Sequence, residues 1–146
     1  MKNISSFYDN KVVFKPWGYE YVVYRNANNL SVTLLNINYN KSTSLHCHPQ
    51  KKSGFILLGG KALFQLGLRK KNTELHTSPS KRMMARGLFH SIKSVSKKGL
   101  LALEFETPVN KNDLVRFKDS YGREKKSYEG KKFTKSIQSD FIKFKT

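Results

Sequence analysis

A chain of 146 residues suits one domain with one core, and its 38% apolar content, with 10 Phe and 7 Tyr, supplies a packed interior. The formal net charge of +18 raises an anionic partner, but the basic residues are spread along the chain and form no separable arm. No apolar run is long enough to span a membrane, the start MKNISSFYDN lacks the apolar segment of a secretory leader, and the single Cys47 excludes an internal disulfide, so a cytoplasmic protein without a membrane partner is expected.

The first β-rich segments are YEYVVYR (19–25) and SVTLLNINY (31–39), separated by a turn-like stretch at Asn26–Asn29. Next comes SLHCHPQKKSGFILLGG (44–60), in which a His-x-His pair precedes a basic turn and an apolar strand, FILLGG. KALFQLGL (61–68) follows directly, and Gly59-Gly60 makes a good hairpin turn between the two. The polar stretch KKNTELHTSPSK (70–81) reads as a loop. RMMA (82–85), FHSIKSV (89–95) and LLALEFET (100–107) resume the strand pattern, with turns at Gly87 and Lys97–Gly99. In LLALEFET, Leu101, Leu103 and Phe105 share one face, and Ala102, Glu104 and Glu106 the other. No segment of 19–107 has a helical period, so the pattern predicts an all-β sandwich or barrel. Residues 108–146 are expected to form loops with at most one short helix, packed along the barrel through Phe133, Ile137, Phe141 and Ile142.

On a strand, residues two apart face the same way, so His46 and His48 project together and Cys47 points away. Two neutral imidazoles on one face can share a metal ion. His90, after the Gly87 turn, is the best source of a third nitrogen from a neighbouring strand. The other reading of these histidines is a pocket that hydrogen-bonds a ligand without metal. His76, in the polar stretch, has no partner at useful spacing and is expected at the surface.

These motifs resemble those of the cupin family, G-x5-H-x-H-x3–4-E-x6-G followed by G-x5-P-x-G-x2-H-x3-N. The first stands here as HCHPQKKSGFILLGG, and the second as the segment Met84–His90, with its G-x2-H intact. Ala85 replaces the usual proline and Ser94 the usual asparagine. The family's glutamate ligand is missing, because Lys52 and Ser53 occupy its place. The implied metal ligands are therefore His46, His48 and His90 with water, or with a side chain borrowed from Gln50, Glu104 or Glu106. Such a nitrogen-rich set suits zinc or iron better than manganese. The implied fold is a cupin double-stranded β-helix, a jelly-roll barrel over about residues 14–123 of a single domain (1–146), with an irregular C-terminal extension (124–146).

Two flanking stretches, KPWGYE (15–20) and NDLVRFKDSYGR (112–123), resemble the C-terminal cupin domain of type II mannose-6-phosphate isomerases. The resemblance implies a sugar phosphate or nucleotide sugar as ligand, isomerisation through an enediol, and a homodimer. It makes Arg123 and Lys52 the candidates for electrostatic and catalytic support. Trp17, Tyr19, Lys51 and Arg116 become substrate-binding candidates, with Lys15 a weaker one. Arg123 could instead pair with Asp119 or Glu124, and Trp17 could instead anchor the first strands. The alternative function is a cupin module that binds a sugar or another anion without chemistry. Nucleic-acid binding is not expected, since the aromatics fall within strand patterns and no known nucleic-acid motif is present.

Overall fold

Gly18 is where the fold begins to be forced. Its φ of +152° lies outside the range that side-chain-bearing residues favour, and a Cβ there would stand 1.9 Å from the Asn36 carbonyl oxygen. Only glycine lets the chain pass this close, and the passage presses Trp17 into the core at 5% exposure while its carbonyl accepts from Asn38 N–H. The structure is a computed structural model that describes residues 9–110, 113–118 and 132–133. Among them are twelve strands: β1 (Val12–Lys15), β2 (Gly18–Asn26), β3 (Leu30–Ile37), β4 (Leu45–Cys47), β5 (Lys52–Gly59), β6 (Lys61–Leu66), β7 (Thr73–Thr77), β8 (Ser80–Met84), β9 (His90–Ser94), β10 (Leu100–Thr107), β11 (Val115–Lys118) and β12 (Lys132–Phe133).

The strands form two six-stranded sheets. The first has the order β1-β2-β3-β10-β5-β8 and the second β12-β11-β4-β9-β6-β7. Nearly all pairings are antiparallel; β11 and β12 pair in parallel. Gly59-Gly60 is not the expected hairpin turn: β5 pairs with β10 and β8, β6 with β7 and β9, and the glycines carry the chain across from the first sheet to the second. No helix occurs among the described residues, and none is long and apolar enough to cross a membrane. The expected all-β architecture is thus the one observed.

The polar stretch read as a loop instead holds β7 and the start of β8, two strands that do not pair with each other: β7 forms an edge of the second sheet and β8 an edge of the first. Their inward side chains, Glu74, His76 and Arg82, are polar, which hides the period-two signal that hydrophobicity would give. Of the C-terminal extension, β12 is described, and Ile137, Phe141 and Ile142 lie outside the described residues.

Three neighbouring strands of the first sheet grade from apolar to polar along their inner face. In register order across β3, β10 and β5, Ile37 and Leu100 come first, then Leu35, Ala102 and Leu57. Thr33, Glu104 and Phe55 follow, and Ser31, Glu106 and Ser53 come last. The apolar end joins Trp17, Phe64, Ala62, Met84 and Ile92 in the main core. Burial of this cluster, at about 25 cal/mol per Å² of apolar surface, drives the two sheets together. The polar end opens a chamber between them.

Candidate metal centre

β4 and β9 of the second sheet pair at a single register point, His46 opposite His90, which places both imidazoles on the inner face. His48 follows two residues after His46, and its carbonyl accepts from Gly87 N–H at 2.9 Å, tying the two histidine segments together. The ring centroids lie 4.9 Å apart for His46 and His48, 4.8 Å for His46 and His90, and 5.4 Å for His48 and His90. One donor nitrogen from each lies within 4.8 Å of the others.

Backbone contacts decide which nitrogen that is. His46 Nδ1 sits 2.8 Å from the Ser44 carbonyl, His48 Nδ1 2.9 Å from the Asp113 carbonyl, and His90 Nδ1 2.9 Å from the Leu88 carbonyl. A carbonyl only accepts, so each Nδ1 must carry the proton and donate it. Each Nε2 is then left with a free lone pair. Burial pushes all three histidines below their ordinary pKa, His90 to about 4, which keeps them neutral near pH 7. Charge adds to this, from His90 at His46 and from Lys51 at His48 and His90. His90 Nε2 is fully buried with no hydrogen-bond partner among the described residues. Three oriented, neutral nitrogens, one of them unsatisfied, fit a metal ion that accepts nitrogen ligands.

The chamber in front of the histidines has a volume of about 70 Å³ and widens toward solvent. His46 and His48 line it, as do Trp17 and Glu20 from one side, Lys51 and Glu104 from another, and Arg116 from β11. Lys51 is buried and ion-paired with Glu106, which also accepts from Ser31 Oγ at 2.9 Å. Lys51 further donates to the Asn110 carbonyl at 3.4 Å. Asp113 orients the turn after His48, accepting from Gln50 N–H at 3.0 Å and Lys51 N–H at 2.8 Å. Arg116 is 3% exposed, and its Nε donates to Ser44 Oγ at 3.4 Å.

The structure therefore brings together His46, His48, His90, Trp17, Lys51 and Arg116. It does not bring Gln50 or Lys52 to them. Gln50 is exposed and engages Asp113 through its backbone, while Lys52 is exposed on the outer face of β5 because its neighbours Lys51 and Ser53 turn inward. Tyr19 pairs with Asn36, points opposite to the inward Glu20, and does not line the chamber. Lys15 is buried. Glu106, a possible borrowed ligand in the sequence reading, is engaged by Lys51 instead. Arg123 lies outside the described residues. Sequence reasoning missed Glu20 as a wall of the chamber and Asp113 as the orienting group. The inward parity of β2, with Glu20 opposite Leu35, was the available signal for Glu20.

No family model and no curated protein matches the sequence. Solved structures do match by fold. A protein from Bacillus halodurans aligns at 22% identity and TM-score 0.53, over 57% of this chain and 65% of that one. KdgF from Halomonas sp. aligns at 10% identity and TM-score 0.60, over 69% of this chain and 90% of that one. Oxalate decarboxylase from Lactobacillus farciminis aligns at 17% identity and TM-score 0.62, over 73% of this chain and 33% of that one. The matches include a cupin domain from Schizosaccharomyces pombe and a double-stranded β-helix protein from Klebsiella pneumoniae. The fold is the cupin double-stranded β-helix, and its three histidines form a site able to hold a metal.

Proposed function

We propose that this protein is a metal-dependent sugar-phosphate isomerase, similar in chemistry to mannose-6-phosphate isomerase, in the supply of activated sugars for polysaccharides. The observation that carries this reading is the chamber itself. Three neutral imidazoles converge at one wall, and the buried cations Lys51 and Arg116 stand beside carboxylates at the others. Aldose–ketose isomerisation needs charge stabilisation at a carbonyl oxygen and a proton acceptor near the adjacent carbon. Zinc or ferrous iron, held by His46, His48 and His90, would polarise that carbonyl. Lys51 and Arg116 add positive charge where negative charge develops, and the walls exclude bulk water. The chamber admits the reacting carbons, while the phosphate extends toward the mouth.

Support comes also from the KPWGYE and NDLVRFKDSYGR stretches. Among the fold matches are CapF of Staphylococcus aureus, described as a capsular polysaccharide assembling protein, and a protein of Acidithiobacillus ferrooxidans named as a candidate sugar phosphate isomerase. The test is proton NMR of mannose 6-phosphate with zinc- or iron-loaded protein. Appearance of fructose 6-phosphate is expected, and its absence with both metals overturns the reading.

The small chamber and the missing glutamate favour one alternative, a cupin module that binds a sugar or anion without chemistry. It predicts that mannose 6-phosphate raises the melting temperature of metal-free protein with no product formed.

The reading includes a homodimer through the outer face of the first sheet. Val12, Tyr21, Leu34, Leu103 and Ile56 form one uncharged row across five strands. Phe14 (79% exposed) and Met83 (58%) extend the face. With strands about 4.8 Å apart, the row runs roughly 20 Å across the sheet, a face two copies could share. Light scattering should show a dimer at tens of micromolar protein, and Tyr21→Lys should render it monomeric. A wild type that is monomeric at that concentration excludes this interface.

A further inference from the structure

Glu20 sits on the inner face of β2, across the register from Leu35, which in turn faces Ala102. It is 8% exposed and lines the chamber with Trp17. No hydrogen bond or ion pair satisfies its carboxylate among the described residues, whereas the more deeply buried Glu106, 2% exposed, has both Lys51 and Ser31. Its oxygens are not sealed from solvent, so the carboxylate faces the chamber that His46, His48, Lys51 and Arg116 also line, where a bound molecule can reach it. Glu20 is also not in the cluster of donor atoms that could hold the metal. A molecule bound at His46 and His48 would occupy the chamber that Glu20 also lines.

We infer that Glu20 is the catalytic base, the group that takes the proton from the carbon next to the substrate carbonyl. The inference rests on the isomerase reading and names a residue for it. The Glu20 carboxylate removes the proton on C2, the C–H electron pair forms the C1–C2 double bond, and the carbonyl π pair moves to O1, which takes a proton. The enediol then loses the proton on O2, the C2 carbonyl forms, and the Glu20 carboxyl returns its proton to C1. Atoms and charge balance, and no outside reagent is consumed. The substrate class is a 2-hydroxy aldehyde or its ketose isomer.

The experiment compares wild type, Glu20→Gln and Glu20→Asp, each metal-loaded in heavy water, with two probes followed by proton NMR. Mannose 6-phosphate reports turnover, and glycolaldehyde, the two-carbon fragment that fits the chamber, reports exchange of its C2 proton. In Glu20→Gln, turnover and exchange should fall at least a hundredfold while metal content stays equal. Glu20→Asp should keep a measurable fraction. Metal-free Glu20→Gln should melt within about 2 °C of wild type, since no hydrogen bond or ion pair among the described residues is lost. Wild-type turnover with Glu20→Gln within threefold overturns the inference and leaves the isomerase reading standing. Exchange of glycolaldehyde lost in Glu20→Gln, without turnover of mannose 6-phosphate, supports Glu20 and overturns that reading. No exchange and no turnover by wild type overturns both, and a melting temperature lowered by more than about 2 °C in Glu20→Gln shows the carboxylate to be structural.

Discussion

Histidine, carboxylate and a cation meet at two places in this molecule, and the two differ in every respect that matters for chemistry. In the chamber, three imidazoles face one another, each held by a backbone carbonyl, and the Lys51–Glu106 pair beside them is 5% and 2% exposed. Where the edge strands β7 and β8 meet, His76 lies between Ser80 Oγ at 2.8 Å and Glu74 at 3.0 Å, and Arg82 clasps Glu74 with two bonds of 3.1 Å. Those side chains are 20–42% exposed. This edge cluster satisfies itself through its own bonds. The chamber holds its rings by the backbone and leaves nitrogen lone pairs pointing inward. Burial and an unused lone pair, rather than the presence of histidine, mark the site.

The largest expected effect is on the buried ion pair. Lys51→Met leaves Glu106 charged and buried, which should cost about 3–5 kcal/mol in urea unfolding. Lys51→Met with Glu106→Leu should recover most of that loss. If the double variant is no more stable than the single one, the lysine acts through something other than its pairing with Glu106.

Next comes the metal. Removing His90 takes away one of the three imidazoles that could hold the ion, whose Nε2 has no other partner among the described residues. His90→Ala should weaken zinc binding at least a hundredfold by calorimetry, whereas His76→Ala should leave it unchanged. Equal losses in the two variants would erase the distinction between the clusters.

How much of this was legible from the chain can be read from its residues. His46 and His48 on one face follow from spacing alone, and the turn at Gly87 rightly put His90 on a neighbouring strand. The strand LLALEFET shows the limit. Hydrophobicity favours turning Leu101, Leu103 and Phe105 inward, yet Leu101 is exposed while Ala102 and Glu106 are buried. The inner face here is a polar chamber and the outer face is apolar, so the usual sign is reversed. Lys51 and Lys52 show the same limit more sharply. Which one points inward depends on how Pro49 and Gln50 turn, and a shift of one residue exchanges them. The pairing of Lys51 with Glu106, 55 residues apart, depends on the β5–β10 register, which no local pattern encodes.

Acid should separate the two clusters by pH. His90 has a folded pKa of about 4 against an ordinary 6.5, lowered mainly by burial, and His46 and His48 shift the same way. The unfolded chain therefore takes up protons first. In metal-free protein this stability is complete above pH 6.5 and is lost as pH falls toward 4, by about 3 kcal/mol for His90 alone. Glu74 is lowered by its bonds to His76 and Arg82, so its contribution persists to below pH 4.5. Thermal melts between pH 7 and 4 should show a steady fall. A flat profile would mean that the chamber histidines titrate as freely as exposed ones.

The smallest effect belongs to the β7–β8 edge cluster. Exposed ion pairs gain little, because water and salt screen them and ordering two long side chains costs entropy. Glu74→Gln should therefore change stability by less than about 1 kcal/mol, with the loss shrinking further in high salt. His76 has one role that this pair lacks, an edge contact with Phe64, their ring centroids 5.3 Å apart at 87°. Phe64 is fully buried in the main core, so His76 covers it at the barrel's edge. His76→Phe keeps that cover while abolishing both of its hydrogen bonds. It should match Glu74→Gln in stability, whereas His76→Ala should be lower by about 1 kcal/mol. If His76→Phe is instead the worse of the two, the polar contacts between β7 and β8 matter more than the covering of Phe64, and the contrast with the chamber narrows.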